Sequence, residues 1–432
     1  MDMHWLNFSH SAAQIIRLIK SMYPHSYTVT GGLTATYFAE EVMRNLPFLD
    51  FLITGDGAVP LLELIQQLKG ARQFQKVPNL LYRHNRRIHR GIKRDLNDFS
   101  LVQEYDHSSF GIVLARGCPL RCATCGGPAY AGDIRVYPQD YILKKIFKSA
   151  ASQKGRIPLL HDPILALGRR RWGDLLRELK ASGKDISLSI EFFRPHLKSD
   201  LARVAKYAPG SQISISPETL DEEARFLHKK ISFSNQELLM NLDFVNGCPD
   251  LGMSVWFMAG LGGEREKGVE AVIGFIENYY KKVRDLRNFS LQYNEMAFID
   301  PGSPAFAHPQ KYGYRIRFKR FSKYLSAFAA PVFKYHINYT TRHFSHSGLF
   351  RLFLEVRQRM NKIYYERGII DKGFYGRVSV YNGVLKKYSF LFDRGYMLED
   401  SRKRSGAFAR TGKVFLADLI ENNRRWSGGE CL

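Results

Sequence analysis

Three cysteines on one short loop constrain this chain more than any other feature. They lie in Gly117-Cys118-Pro119-Leu120-Arg121-Cys122-Ala123-Thr124-Cys125, a C-x3-C-x2-C run. The run follows an apolar, β-prone stretch, Gly111-Ile112-Val113-Leu114-Ala115. Spacings this tight let three thiolates converge without help from distant chain. Soft thiolates select zinc, copper(I) or iron–sulfur clusters. Zinc takes a fourth protein ligand, usually from a second C-x2-C or a His pair, and none lies nearby in sequence. A [4Fe-4S] cluster held by three cysteines leaves one iron open. A zinc knuckle and three structural cysteines are the competing readings.

The loop resembles the signature of the radical SAM superfamily. That resemblance implies that Cys118, Cys122 and Cys125 hold a [4Fe-4S] cluster and that S-adenosylmethionine chelates the open iron. One electron then splits the cofactor into methionine and a 5′-deoxyadenosyl radical. A reductant such as a flavodoxin or ferredoxin is implied as the electron donor. One departure is Thr124, which stands where the family often has an aromatic residue.

Length and composition bound the rest. A chain of 432 residues supports two or three domains with their own cores. No apolar run reaches the ~18 residues of a membrane span, and the first residues lack the layout of a signal peptide. Five cysteines, three of them clustered, fit a reduced, cytoplasmic protein and not a disulfide framework. The net charge of +23 is uneven, with 25 Lys/Arg against nine Asp/Glu from residue 305 to the end. Such a block attracts an anionic partner, an RNA or a membrane surface, or is simply a solvated basic exterior.

Residues 1–95 alternate helical and strand patterns. His10–Met22, Tyr37–Leu46 and Val59–Leu68 read as helices, and Tyr27–Thr30, Phe48–Ile53 and Val77–Tyr82 as strands. This alternation predicts an α/β fold with a doubly wound parallel sheet. Gly31 and Gly32 follow the first of these strands, and Gly55-Asp56-Gly57 follows the second. The stretch resembles the later part of a cobalamin-binding domain, a partial Rossmann-like unit shortened at its N-terminus. The resemblance implies Gly31 and Gly32 beside the nucleotide tail of cobalamin. Asp2-Met3-His4 is read as a strand start, and the arginine-rich 83–110 as a linker.

From residue 96 to 305, six strand candidates alternate with helices: Ile112–Ala115, Pro158–His161, Ser187–Phe192, Gln212–Ser216, Met253–Ala259 and Asn288–Met296. Six β/α units predict a partial TIM-like barrel, (β/α)6, which is also the fold of the resembled family. In such barrels chemistry gathers at the carboxyl ends of strands. The slot after the second strand offers Asp162 for the cofactor's amino group, or as a turn cap. Glu191 after the third strand suits a ribose diol. After the fourth strand, Ser216-Pro217-Glu218-Thr219 resembles the G-x-E-S segment of related enzymes and Arg225 beyond it suits the cofactor's carboxylate; a structural ion-pair network of Glu191, Glu218 and Arg225 is the alternative. Gly260, Gly262 and Gly263, in Gly260-Leu261-Gly262-Gly263-Glu264, resemble the family's turn against adenine.

Residues 306–432 read as a basic, aromatic-rich, mostly helical region. The expectation overall is a radical SAM enzyme, with cobalamin-dependent methyl transfer to an unactivated carbon implied by the first domain. A metal-stabilised, basic nucleic-acid-binding protein is the alternative, as is a radical SAM enzyme acting on RNA or a membrane lipid. No motif names a small-molecule or lipid substrate.

Overall fold

The computed structural model describes residues 1–94, 111–120, 122–127, 134–152, 154–228, 232–330 and 333–396, the last nine as backbone only. The interdomain crossing near residues 95–110 and the basic tail from 397 lie outside the described residues, as do Arg121 and Cys431.

The first unit holds α1 (Ser9–Met22), β1 (Val29–Thr30), α2 (Leu33–Tyr37), α3 (Ala39–Asn45), β2 (Phe51–Ile53), α4 (Ala58–Lys69), β3 (Leu80–His84) and β4 (Arg87–Arg90). Its sheet order is β1-β2-β3-β4. Asp2 bridges Gly31 in parallel, so the Asp2-Met3-His4 stretch does begin a strand. The parallel expectation holds for β1 with β2 and fails beyond. β3 runs antiparallel to β2 and closes a hairpin with β4. The cause is local: Asn85 and Arg86 both take positive φ, 48° and 62°, the two-residue turn whose twist suits adjacent antiparallel strands. Arg83, Arg87 and Arg90 are therefore strand residues and Arg86 a turn residue; none is in a linker.

The second unit is the six-stranded sheet. β5 (Ile112–Val113), β8 (Ile157–Leu160), β9 (Leu188–Phe192), β10 (Ser211–Glu218), β11 (Leu251–Ala259) and β12 (Phe289–Glu295) stand side by side in chain order. Every neighbouring pair is parallel. Parallel neighbours need crossovers. Those helices are α5 (Gln139–Ser152), α6 (Pro163–Ala181), α7 (Lys198–Tyr207), α8 (Glu222–Leu227), α9 (Asn235–Asn246) and α10 (Glu266–Tyr280). The expected first strand is interrupted. Ala115–Arg116 (β6) leaves the sheet and pairs antiparallel with β7 (Arg135–Val136), a ribbon flanking the cysteine loop.

Alternation along the strands separates two faces. Ile190, Ile213, Ile215, Val255 and Phe257 are buried under the helices. Ser189, Glu191, Ser214, Ser216 and Trp256 face the concave side, where they line a cavity of about 320 Å3. Register aligns Glu191 with Ser214, Ser214 with Ser254 and Ser254 with Ser290.

The third unit closes the open side. It contains α11 (Pro304–Ala307), β13 (Tyr314–Ile316), α12 (Phe321–Phe328), β14 (Tyr339–Thr341), α13 (His346–Glu366) and α14 (Lys372–Tyr396). The helical expectation holds, with a small antiparallel ribbon, β13–β14, added. The last barrel strand would otherwise be a bare edge. Instead Tyr364 on α13 donates its hydroxyl to Leu291 O at 2.8 Å, and Arg357 pairs with Glu295. The first unit docks on the third through Phe38, 5.7 Å from the rings of both Phe321 and Tyr324. One buried apolar cluster runs from Met3 to Leu385.

The tightest seam is testable. A Cβ on Gly262 would sit 1.8 Å from Tyr312 O, while one on Gly274 in α10 meets nothing within 4 Å. Gly262→Ala should cost several kcal/mol, in the class of exceptional substitutions above ~4 kcal/mol. Gly274→Ala should be neutral or stabilising by up to ~1 kcal/mol. Paired denaturant unfolding of the two variants checks the contrast.

Candidate cofactor-binding and active site

The cysteine loop is anchored by its backbone. Ala123, between the second and third cysteines, is fully buried. Its N–H donates to His228 O at 2.9 Å, and its carbonyl accepts from Ala305 N at 2.7 Å. Asp300 packs against Gly126, and burial raises the pKa of its carboxyl to about 6. A side chain at Gly126 would meet Pro301 O at 2.8 Å. Cys118 and Cys122 are half-buried, Cys125 is exposed, and none is in a disulfide. Burial pushes the Cys118 thiol up. The Gly127 N–H points at Cys125 Sγ, 3.4 Å away, the type of amide bond that tunes a cluster's sulfurs. Three thiols on a tethered loop, with an amide aimed at one of them, fit a [4Fe-4S] cluster by their chemistry. Among the described residues no three His, Cys, Asp or Glu side chains already converge on one metal position.

The root of the loop is also tied to the first unit. Arg116, two residues before Cys118, pairs with Asp56 of the Gly55-Asp56-Gly57 turn and donates from Nε to Tyr137 OH at 3.1 Å.

The six candidate side chains and turns behave differently. Asp162 is fully buried and its oxygens are engaged. Oδ1 caps α6 by accepting from Ile164 N and Leu165 N, both at 2.9 Å. Oδ2 accepts from Phe193 N at 2.9 Å and lies 3.3 Å from His196 Nε2. Burial pushes this carboxyl up, but the bonds from His196 and the backbone amides outweigh it and hold the pKa low. The helix-cap reading therefore describes Asp162 better than an open cofactor ligand. Beside it, His161 has φ 106°, a strained setting for a residue with a side chain. Its Nε2 is buried with no hydrogen-bond partner among the described residues. The sequence reading passed over His161.

Glu191 is exposed to the concave cavity. Glu218 ends β10 with φ 67°, just after the register slips between Ile215 and Glu218. Bulges of this kind re-aim a side chain. Arg225 holds the bulge in place and does not reach a ligand. Its guanidinium donates to Pro217 O at 3.2 Å, Thr219 O, and Phe233 O at 2.8 Å, and to Asn235 Oδ1. It also lies 4.4 Å over the Phe233 ring. Pro217 and Thr219 flank Glu218, so Arg225 is a positioning residue for that carboxylate.

The glycine turn is pulled inward. Gly260 and Gly263 take φ 93° and 86°. Buried Glu264 accepts from Gly260 N at 2.8 Å and Leu261 N at 3.3 Å, and Tyr293 OH lies 3.3 Å from its other oxygen. Burial raises the Glu264 pKa to about 7. Gly262 packs against the Tyr314 ring, where a Cβ would lie 3.0 Å from Cε2, and the Tyr314 hydroxyl sits 2.6 Å from His228 Nε2. His228 Nδ1 lies 2.6 Å from Ala224 O, so Nδ1 carries the proton and Nε2 accepts from Tyr314. His228 O then receives Ala123 N–H. These bonds join Tyr314, packed on the glycine turn, to the cysteine loop. Tyr314 lies 86 residues from its partner, a pairing no local pattern announces.

Gly31 and Gly32 are explained by the chain's own packing. A Cβ on Gly32, at φ 106°, would meet Asp2 Oδ1 and His4 N at 2.6 Å, and one on Gly31 would meet Ile53 O at 3.3 Å. They do not form an open cradle for cobalamin on that side.

Residues 112–276 match the family model of the radical SAM superfamily. An uncharacterized methyltransferase of Pyrococcus horikoshii is 23% identical over 290 residues, 62% of this chain and 61% of that protein. The anaerobic magnesium-protoporphyrin IX monomethyl ester cyclase of Cereibacter sphaeroides is 22% identical over 190 residues, 40% of this chain and 31% of the cyclase. The chain therefore spans less than two thirds of the length of both. Among solved structures, the radical S-adenosylmethionine methyltransferase TsrM from Kitasatospora setae, with cobalamin and a [4Fe-4S] cluster bound, superposes with a TM-score of 0.59. That match has 12% identity and covers 99% of this chain and 87% of TsrM. The cobalamin-dependent S-adenosylmethionine radical enzyme OxsB, with aqua-cobalamin and S-adenosylmethionine bound, gives 0.54 at 13% identity, covering 96% and 62%. At such identities the likeness is one of fold.

Two outcomes are expected. Arg225→Lys loses the fork and the ring stack, so the unfolding midpoint should drop by an amount equivalent to ~1–3 kcal/mol. S-adenosylmethionine affinity of the folded protein, by calorimetry, should weaken as well, because the bulge that aims Glu218 loses its clamp. Glu264 binds its proton more tightly folded than unfolded, so its contribution to stability is lost as pH rises from the ordinary carboxylate value toward 7. The stability of Glu264→Gln relative to wild type should therefore climb over that window and level off above pH ~7; a pH-independent difference would contradict the assignment.

Proposed function

We propose, from the premise that this is a radical SAM protein, that the chain cleaves S-adenosylmethionine reductively and uses the resulting radical to functionalise an unreactive C–H bond. The observation that carries this is the C-x3-C-x2-C loop, anchored after the first strand of a six-stranded parallel partial barrel. When bound by Cys118, Cys122 and Cys125, a [4Fe-4S] cluster supplies the electron that breaks the sulfur–C5′ bond, giving methionine and a 5′-deoxyadenosyl radical.

The protein's part is positioning. We assign the methionyl amino group to the slot after the second strand. There the orphaned His161 Nε2 can accept its N–H, because His161 Nδ1 lies 3.3 Å from Asp162 O and carries the proton. Asp162 fixes the start of α6 beside it. Glu191 and the re-aimed Glu218 accept from the ribose hydroxyls, and Gly260, Gly262 and Gly263 bound the adenine end. A flavodoxin or ferredoxin is the proposed electron donor, and the compartment is cytoplasmic.

Methyl transfer to carbon is the outcome supported by the likeness to TsrM and by the Pyrococcus horikoshii relative. The nucleotide tail of cobalamin is proposed to lie beside the Gly31–Gly32 backbone, and no step is derived through it.

Anaerobically reconstituted full-length chain should release 5′-deoxyadenosine under reduction, and Cys118→Ala, Cys122→Ala and Cys125→Ala should each abolish it. Stoichiometric zinc with no cleavage would instead support the metal-stabilised nucleic-acid-binding alternative. Purification from cells supplied with cobalamin should yield corrinoid absorbance if the methyl-transfer reading holds, and reconstituted protein that lacks corrinoid absorbance and still cleaves the cofactor would leave a cobalamin-free radical step.

A further inference from the structure

Helix α1 carries two apolar faces, and the fold covers one of them. Ala12, Ala13 and Ile16 pack inward against the buried cluster. Ile15, Leu18, Ile19 and Met22 follow the i, i+3, i+4, i+7 spacing of a second stripe, and all four are exposed, Leu18 at 57% and Met22 at 61%. Gln14, Arg17 and Ser21 make an exposed polar strip beside it. Trp5 precedes the helix and Tyr23 follows it, both exposed. Single exposed apolar residues are ordinary, but a contiguous stripe marks an interaction surface. The stripe is preformed. Lys20 Nζ donates to Asp50 Oδ2 at 2.8 Å and to Ser26 O at 2.6 Å, which pins the end of the helix to the residue before β2.

The exposed charge near the stripe is positive. α12 packs against α1; Lys323 on α12, with Arg315 and Arg320 in the segment leading into it, is exposed. The nearby acids are engaged: Glu41 accepts from Phe321 N at 2.7 Å, and Asp50 pairs with Lys20. Shape and charge together select the occupant. The stripe lies on the outside of a helix and not in a groove, so it has no walls to hold a peptide. A second copy would meet four side chains on two turns, short of the ~800 Å2 per partner of a stable interface, and would bring together two molecules that each carry +23. RNA would meet the cations but gain nothing from the aliphatic side chains. An anionic bilayer surface meets both demands. Apolar side chains enter the boundary between headgroups and acyl chains, cations face the lipid phosphates, and Trp and Tyr sit at headgroup level.

We propose that α1 is a membrane-docking helix, which lies flat on an anionic phospholipid surface with the stripe from Ile15 to Met22 inserted and the cations of α1 and α12 toward the headgroups. This goes beyond the proposed radical reaction and does not rest on it. The net charge of +23 then has an anionic partner that lies outside the barrel.

The test sediments the full chain with vesicles of phosphatidylcholine alone or of phosphatidylcholine mixed with phosphatidylglycerol. The mixed vesicles should bind at least ~10-fold more tightly, and added salt should weaken that binding. The double variant Leu18→Gln/Met22→Gln changes two exposed positions, and circular dichroism checks that it is folded. It should lose ~10-fold or more in affinity for the mixed vesicles. Arg320→Glu/Lys323→Glu should reduce both the preference for anionic lipid and the salt dependence. Light scattering and titration with poly(U) read the rival occupants. Four results overturn the proposal: no binding to mixed vesicles, vesicle binding unchanged in Leu18→Gln/Met22→Gln, a dimer of the wild type that dissociates in that variant, or RNA binding that depends on the same two residues.

Discussion

The buried bond chain from Tyr314 through His228 to Ala123 is the interaction on which the rest of the site depends. It links three parts of the sequence that share no local pattern: the cysteine loop, the end of the fourth β/α unit and the third unit's ribbon. Each member is buried, so breaking one leaves its neighbour unsatisfied at a cost of ~1–3 kcal/mol. The chain also explains why the third unit cannot be a detachable tail. Tyr314 and Tyr339 reach into the barrel turn, with Tyr339 OH bonded to Gly260 O at 3.0 Å and Met296 O at 2.7 Å. The turn's glycines are needed because these tyrosines and Tyr312 O press on them.

Strain is gathered at the carboxyl ends of the strands. His161 and Glu218 adopt positive φ at the ends of the second and fourth barrel strands, and each is held by a neighbour with no further role: Asp162 as a cap, Arg225 as a clamp. Such settings cost ~1–3 kcal/mol each and persist where the surroundings over-determine them. Rigid neighbours behind strained residues are how a site keeps geometry before a ligand arrives.

Much of the fold was legible in the sequence, and its legible parts have a common cause. The six barrel strands are apolar runs spaced by amphipathic helices, a pattern set by burial of one sheet face. The cysteine spacing is local for the same reason. The first unit misled because β3 reverses direction at a loop, and parallel and antiparallel strands of three to five residues have similar composition. Asp162 and Arg225 misled because a carboxylate or guanidinium near a strand end serves a cap or clamp as well as a ligand, and only partners distant in sequence decide which. His161, His228 and Tyr314 carried no signal beyond their residue type. Among the described residues no helix is long and apolar enough to cross a membrane.

The central claim is that the three-cysteine loop leaves one metal position open to S-adenosylmethionine. Electron paramagnetic resonance of the reduced, iron-reconstituted full chain, with and without S-adenosylmethionine, tests it most directly. The account predicts a [4Fe-4S] signal whose shape changes on addition of the cofactor and which is lost in Cys122→Ala. A cluster signal indifferent to S-adenosylmethionine, or a loop that takes up zinc and gives no signal, would contradict it.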